Sequence, residues 1–264
     1  MSERFAFPLC IQLPPMVADA GNADFVDILR LLQAEGFAGV ELNLNRFDDP
    51  DALRKLLSSF GLRLSMVASG AYAVKHGLSL SSPDESVREA AVAALRNMRA
   101  FAGECGAGVI CGFIKGAAKE NYGTATCQLR KSLAALTGAG APIYLEATNH
   151  YEATLVNTLE EGADFVRGLD GLRVLPDTYH MNIEETGIAA ALVRHNDLYA
   201  NLHLSDNNRY FPGFGAIDFR AVYDTLSALG YAGVTAVEGR VHSLKADITV
   251  TAAYLAHCSR GFRA

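Results

Sequence analysis

Short runs of apolar residues alternate with longer amphipathic segments along the chain, and the pattern returns about every 30 residues. Eight of these runs have the composition and length of buried strands. They span 9–13, 39–44, 62–67, 108–113, 143–146, 172–177, 201–205 and 233–238. The segments between them, such as 25–32, 86–91 and 219–226, have apolar residues at the spacing of one helix face.

Eight strand-then-helix units predict a (β/α)₈ TIM barrel of the α/β class. The competing fold is an open doubly wound sheet, which would place a glycine-rich phosphate loop after the first strand. That position reads Leu13-Pro14-Pro15. No long linker or shift in composition interrupts the pattern, so we expect residues 1–264 to form one domain.

Charge and cysteine content narrow the range of partners. Acidic side chains number 29 and basic ones 23, giving a net charge of −6, which is unfavourable for binding nucleic acid or an anionic membrane. We expect no membrane span, because no apolar stretch approaches ~20 residues, and no signal peptide, because a small-residue cleavage pattern is missing. Five cysteines without a C-x-x-C pair indicate a cytoplasmic protein with free thiols.

Four successive strands carry polar residues where the active site of a TIM barrel lies, at the carboxyl ends of the strands. These residues are Glu146, Asp177, His203 and Glu238, each about one repeat from the next. For any one of them alone, a solvent-facing loop residue is the simpler interpretation. Three carboxylates brought together would repel one another unless a cation lay between them. The four residues therefore predict one divalent metal ion; Mn²⁺, Mg²⁺ or Co²⁺ are favoured, and Zn²⁺ is also compatible.

Such a site is suited to proton transfer next to a carbonyl group. A metal would polarise the carbonyl and stabilise an enediolate. Glu146 and Glu238 come from different strands, so one can remove a proton from one face and the other can return it to the opposite face. This sequence of steps is epimerisation; a proton shuttled between adjacent carbons would instead give isomerisation.

Several motifs in the second half of the chain resemble the xylose isomerase-like sugar isomerases and epimerases, and the ketose 3-epimerases of the tagatose/psicose type most of all. The motifs are LEATNHYE at 145–152, DTYHMNIEE at 177–185, HLSDNNR at 203–209, PGFG at 212–215 and the glutamate at 238. The resemblance implies the same four metal ligands, with His180 and Arg209 holding the substrate and Glu152 a carboxylate near it. His150 stands where many members of the family carry arginine. A hydrogen-bonded loop histidine and a solvated loop cation are the plainer interpretations of His180 and Arg209.

Two other activities on this scaffold fit the sequence less well. The abasic-site endonucleases need three metals and additional histidines after strands three and four, where this chain has Ala68-Ser69-Gly70 and Gly112-Phe113-Ile114. Xylose isomerase proper has two metals and tryptophan in its pocket, and this chain has no tryptophan. We therefore expect a single-metal site whose aromatic lining comes from Phe7, Tyr72, Phe113 or Phe211.

The predicted partner is a small carbohydrate, and several questions stay open. An inosose isomerase or dehydratase would use the same ligands, with His180 as the acid of a dehydration, and a non-catalytic sugar-binding barrel is a further alternative. A group of polar residues after strands four and eight could bind a phosphate or be solvated: Lys115, Lys119, Arg240, Ser243 and Lys245. The identity of the sugar and a homo-oligomeric state are likewise undecided.

Overall fold

The computed structural model describes residues 4–117 and 121–262. Eight strands lie in these ranges: β1 (Leu9–Gln12), β2 (Gly39–Leu42), β3 (Arg63–Ala68), β4 (Gly108–Cys111), β5 (Ile143–Glu146), β6 (Leu172–Leu175), β7 (Asn201–Leu204) and β8 (Val234–Val237). The helices are α1 (Ala23–Ala34), α2 (Pro50–Ser59), α3 (Gly70–His76), α4 (Glu85–Glu104), α5 (Tyr122–Ala134), α6 (Leu159–Val166), α7 (Thr178–Glu184), α8 (Ile188–Arg194), α9 (Phe219–Ala228) and α10 (Leu244–Cys258). A 3₁₀ turn, Phe113–Lys115, follows β4.

The strands are parallel and pair in the order β6-β5-β4-β3-β2-β1-β8-β7. The remaining gap, between β6 and β7, is narrowed by an isolated parallel bridge between Asp177 and His203. The backbone N–H of His203 donates to the carbonyl of Pro176 at 2.9 Å. Proline has no N–H of its own, so a regular ladder cannot continue there. The predicted (β/α)₈ barrel is confirmed.

Six of the eight described strands are shorter than the sequence predicts, and the differences in β4 and β6 change where functional side chains lie. β4 ends at Cys111, and Phe113 belongs to the 3₁₀ turn rather than to the strand. β6 ends at Leu175, because Pro176 follows, and Asp177 is the N-cap of α7. Both corrections place side chains in loops above the barrel.

Most of the described helices begin directly after a polar side chain that caps them. Seven helices begin after a side chain that accepts a hydrogen bond from a backbone N–H of the first turn, which stabilises the helix end. These caps are Asn22, Asp49, Asp84, Asn121, Thr158, Asp177 and Asp218. At the cap of α7, the same aspartate is a predicted metal ligand.

The apolar core has two parts. The larger lies between strands and helices, where residues such as Phe25, Leu129 and Phe219 are completely buried. A smaller cluster contains only strand residues and fills the barrel interior: Met66, Ala68, Ile110, Tyr144 and Leu175. Among the described residues, no helix is both long and apolar enough to cross a bilayer.

Candidate metal centre

Four predicted ligands converge at the carboxyl end of the barrel. Glu146 is the last residue of β5, and His203 lies within β7. Asp177 and Glu238 come just after β6 and β8. Each residue offers one ligand atom, and these four atoms all lie within 4.8 Å of one another. Carboxylate oxygens and one imidazole nitrogen at this spacing fit a divalent cation.

His203 presents one particular nitrogen to this cluster. Its Nδ1 lies 2.8 Å from Glu238 Oε2, 3.8 Å from Asp177 Oδ2 and 3.9 Å from Glu146 Oε1. Its Nε2 points the other way and donates to Glu41 Oε2 at 2.9 Å. Nδ1 is therefore the atom placed to bind a metal.

Glu41 holds the imidazole from inside the barrel. The side chain is completely buried on β2, and the other oxygen of its carboxylate accepts from Asn201 Nδ2 at 2.8 Å. The position of Glu41 at the end of the second strand leaves two roles open in the sequence, a hydrogen bond to substrate or the orientation of a neighbour, and the contact with His203 is of the second kind. A hydrogen-bonded carboxylate behind a metal-binding histidine fixes which ring nitrogen carries the proton and increases its basicity as a ligand.

The two glutamates of the cluster have opposite pKa shifts. Burial and the nearby charge of Glu238 raise the pKa of Glu146 to about 8. Burial acts in the same direction on Glu238, but Arg209 and His203 outweigh it and hold the pKa of Glu238 well below its usual range. Burial lowers the pKa of His203, whereas Glu41 and Glu238 raise it and prevail. The metal-free cluster thus holds protons that a cation would displace.

His180 lies beside the cluster and has a hydrogen-bond donor without a partner among the described residues. Its Nδ1 accepts from the backbone N–H of Asn149 at 3.1 Å and lies 2.8 Å from Asn149 Nδ2. Burial lowers the pKa of His180, so the ring is neutral and its proton is on Nε2. This buried Nε2 has no hydrogen-bond partner among the described residues and lies 3.8 Å from Glu146 Oε1. A buried donor without a partner indicates a place for a ligand oxygen.

Arg209 bridges two of the predicted ligands. Its guanidinium donates to Asp177 Oδ2 at 2.8 Å, lies 3.1 Å from Glu238 Oε1, and stacks over the ring of Tyr179. Its backbone has a φ of 66°, which is uncommon for a residue other than glycine. The side chain is largely buried, so Arg209 is not a solvated loop cation.

The loop that carries Arg209 is organised around Asp206. Its carboxylate accepts hydrogen bonds from four backbone N–H groups, at 2.8–3.0 Å: those of Asn207, Gly213, Gly215 and Ile217. A carboxylate that accepts several N–H bonds stabilises a loop strongly. The sequence contains this residue within the HLSDNNR motif, but its partners lie up to eleven positions away, and only the fold shows them.

A cavity opens above the cluster. It is lined by Gln12, Pro15, Asn43, Ala68, Gly70, Ala71, Ile110, Gly112, Phe113, Glu146, Thr148, Glu152, His180, Arg209 and Glu238. The three predicted substrate-binding residues, His180, Arg209 and Glu152, are all in this lining. Glu152 Oε1 accepts from Asn149 Nδ2 at 3.3 Å. His150 points elsewhere and contacts Glu184.

Only one of the four aromatic residues expected in the lining is found there. Phe113 lines the cavity and is half exposed. The expectation is wrong for Phe7, which packs on Tyr223 and Tyr231, and for Phe211, which is buried in the core. It is also wrong for Tyr72, whose ring packs on Phe47 and His76.

Among the described residues, the candidates for phosphate binding are not in the lining of this cavity. Lys245 pairs with Asp27 at 3.3 Å on the surface. Lys115 is completely buried, and its Nζ donates to Thr148 Oγ1 at 2.7 Å, so the interpretation as a solvated charge is wrong. Arg240 and Ser243 follow β8 outside the cavity lining. Lys119 lies outside the described residues.

Comparison with known proteins agrees with this fold. The family model of the xylose isomerase-like TIM barrel matches residues 29–257, which is most of the chain. The chain belongs to this family. Among solved structures, this xylose isomerase-like barrel is similar to apo 3-keto-D-glucoside 4-epimerase from E. coli, with a TM-score of 0.79 and 22% identity over 96% of this chain and 98% of the other. At this identity the likeness shows the fold alone.

Curated relatives of this barrel are sugar epimerases. The 3-dehydro-D-guloside 4-epimerase of Escherichia coli (strain K12) is 39% identical over 106 residues, which are 39% of this chain and 40% of the relative. The L-ribulose 3-epimerase of Mesorhizobium japonicum is 30% identical over 163 residues, 58% of this chain and 55% of the relative. The matched part of the chain thus spans about half, or less, of the length of these relatives.

Proposed function

We propose that this protein is a divalent-metal-dependent sugar epimerase that inverts the carbon next to a ketone, with ketose 3-epimerisation as the reaction. The observation that carries the proposal is the meeting of two glutamates with opposite pKa shifts and an unpartnered imidazole N–H in one cavity. The curated relatives, which are named for epimerisation at C3 or C4 of keto sugars, support it.

The residues that would hold the metal are Glu146, Asp177, His203 and Glu238. When bound, a divalent cation supplies positive charge that polarises the substrate carbonyl and acidifies the neighbouring C–H. The donor set favours Mn²⁺, Mg²⁺ or Co²⁺. Removal of the metal should therefore abolish turnover.

Glu146 and Glu238 are the groups that move the proton. They stand on β5 and after β8, with Asp177 and His203 between them in the barrel order. A sugar carbon held between the two carboxylates can lose its proton to one and regain a proton from the other on the opposite face. Groups whose environments push their pKa values apart are suited to acting as an acid and base pair.

His180 and Arg209 hold the oxygens of the substrate. The Nε2–H of His180 is a neutral donor directed into the cavity, and the guanidinium of Arg209 adds positive charge beside the two glutamates. Charge that develops on a substrate oxygen during proton removal is stabilised by such prearranged donors. Glu152 at the cavity wall can accept from a sugar hydroxyl.

The structure favours epimerisation over dehydration. A dehydratase needs an acid to expel hydroxide, and the sequence offered His180 for that role. Because burial lowers the pKa of His180, the ring is a neutral hydrogen-bond donor and a poor source of a proton.

The test is product analysis with defined metal content. The protein is stripped with a chelator, reloaded with Mn²⁺, Mg²⁺ or Co²⁺, and incubated with L-ribulose, D-fructose, D-tagatose and a 3-keto-glucoside. We expect the C3 epimer of a ketose, or the C4 epimer of the glycoside, to form only with the reloaded protein. Loss of water, or an aldose as the main product, would contradict the proposal.

A further inference from the structure

Lys115 is a buried lysine that the proposed chemistry leaves unexplained. It is the last residue of the 3₁₀ turn after β4, its side chain is inaccessible to solvent, and it is not part of the cavity lining. Burying an ammonium group is costly unless its donors are used, and an apolar side chain would fill the same space without that cost. The contact that the ammonium makes should therefore account for the lysine.

That contact is with Thr148 in the cavity wall. Lys115 Nζ donates to Thr148 Oγ1 at 2.7 Å. The backbone of Thr148 is held on both sides: its N–H donates to the carbonyl of Val156 at 3.0 Å, and its carbonyl accepts from Asn157 Nδ2 at 2.7 Å. The threonine is thus fixed in place, two residues after Glu146.

The chemistry of the pair determines how the hydroxyl can be used. The amino group of Lys115 is the donor in this hydrogen bond, and a hydroxyl has one hydrogen to donate as well as oxygen lone pairs that accept. With Lys115 donating to Oγ1, the hydrogen of Thr148 is left to donate elsewhere. Among the described residues, Lys115 is the hydrogen-bond partner found for this hydroxyl, and Thr148 lines the cavity beside Glu146, Glu152 and His180.

We propose that Lys115 positions the hydroxyl of Thr148 as a hydrogen-bond donor to one oxygen of the sugar, which makes Thr148 a specificity-determining residue. This inference rests on the proposed function, because it requires a sugar in the cavity. Lys115 acts through Thr148 and is a positioning residue. The sugar oxygen has to be an acceptor, and we assign this role to one of the hydroxyl groups of the sugar.

The experiment compares a sugar with its monodeoxy analogues. The metal-loaded wild type, T148V, T148S and K115M are assayed for kcat/KM with an accepted ketose and with each analogue that lacks one hydroxyl. K245M is the matched control, because it makes the same chemical change at an exposed lysine on the surface. The ratio of kcat/KM between the sugar and its analogue measures recognition of one oxygen and is insensitive to a general loss of active enzyme.

One analogue should lose roughly tenfold in kcat/KM with the wild type, the effect of one hydrogen bond. That ratio should fall to near one in T148V and K115M, and persist in T148S, which keeps the hydroxyl, and in K245M. Equal ratios for every analogue in the wild type and T148V would overturn the proposal. Retention of the ratio in K115M would overturn the positioning role of the lysine.

The two proposals fail separately. A wild type that epimerises a sugar while T148V shows unchanged ratios contradicts only the Lys115–Thr148 pair. If the metal-loaded wild type turns over no sugar, the proposed function fails, and the same ratios are then measured on Kd by isothermal titration calorimetry. A Thr148-dependent difference in Kd between sugar and analogue would support the pair, and its absence would overturn it.

Discussion

Glu146 and Glu238 share one cavity but differ in protonation in the metal-free protein. Burial raises the pKa of Glu146 to about 8, whereas Arg209 and His203 overcome the effect of burial on Glu238 and lower its pKa. Substituting either glutamate by glutamine keeps its shape but removes the base. We expect E146Q and E238Q each to lower kcat by roughly 10²–10⁴-fold.

Circular dichroism and thermal unfolding should show that both variants keep the barrel. E160Q is the matched control, because Glu160 is an exposed residue of α6 that contacts His195 away from the cavity. Wild-type turnover in either E146Q or E238Q would refute the two-base mechanism.

Glu41 should affect metal binding without touching the metal. Its carboxylate accepts from His203 Nε2 and so keeps Nδ1 directed at the cluster. Replacement by leucine removes the acceptor, and we expect the metal Kd to rise 10–100-fold. The glutamine of E41Q can still accept from Nε2, so the metal Kd of this variant should lie between those of E41L and the wild type. The Kd is measured by competition with a metal-binding dye, and equal values for E41L and wild type would rule out this role.

At the level of single residues, the sequence predicts the Glu/Asp/His cluster better than it predicts the residues that hold the site in place by hydrogen bonds. Glu146, Asp177, His203 and Glu238 stand out because a charged side chain is rare at the end of an apolar strand. Asn149 and Asp206 carry no such signal, because their hydrogen-bond partners come from other loops or from distant positions in the same loop. The burial of Lys115 could not be predicted either, since a lysine after a strand is ordinarily solvated.

Among the structural elements, the turn after β4 controls the room available to Glu146. A Cβ atom added at Gly112 would lie 2.5 Å from Glu146 Oε2, closer than such atoms can approach. We expect G112A to displace this carboxylate, weaken metal binding at least tenfold, and lower turnover. Elemental analysis and titration calorimetry measure the effect.

The control is G103A on α4, where the added methyl group would lie 3.9 Å from Ala141. Alanine is more favourable than glycine inside a helix, so this variant should be as stable as the wild type or more so. Metal affinity in G112A equal to that in G103A would show that Glu146 does not occupy this space in the working site.

The elements themselves were largely predictable. The order of strands and helices follows from the alternation of apolar and amphipathic segments, and the starts of helices follow from their caps. The ends of β4 and β6 were harder to predict, because the apolar pattern continues through Phe113 after β4 and through Pro176 after β6. The end of β4 depends on backbone hydrogen bonding to its neighbour, which composition does not encode, whereas Pro176 is a sequence signal for the end of β6.

For the whole molecule, metal binding should couple to pH and to stability. His203 and Glu146 both have raised pKa values in the metal-free fold, and a metal ligand must be deprotonated. Below about pH 8 the metal has to displace these protons, so its affinity should increase with pH, by roughly tenfold per unit for each proton released.

The stability of the metal-free protein should change with pH in the opposite direction to its metal affinity. A raised pKa in the fold means that the folded state holds a proton that the unfolded state has lost, so the stabilisation from Glu146 is complete at low pH and is lost as pH rises to about 8. We therefore expect the increase in Tm caused by a fixed concentration of Mn²⁺ to be larger at pH 8 than at pH 6. Scanning calorimetry with and without metal measures it, and an increase that is equal or smaller at pH 8 would contradict the assignment of these ligands.

The most direct test of the central claim is hydrogen exchange at a sugar carbon. The metal-loaded protein is incubated in D₂O with a panel of ketoses, 3-keto-glycosides and inososes, and deuterium is located by NMR. The account predicts deuterium at the carbon next to the ketone, C3 of a ketose, together with the inverted diastereomer. Deuterium at C1, loss of water, or no exchange in any sugar while the metal is bound would contradict it.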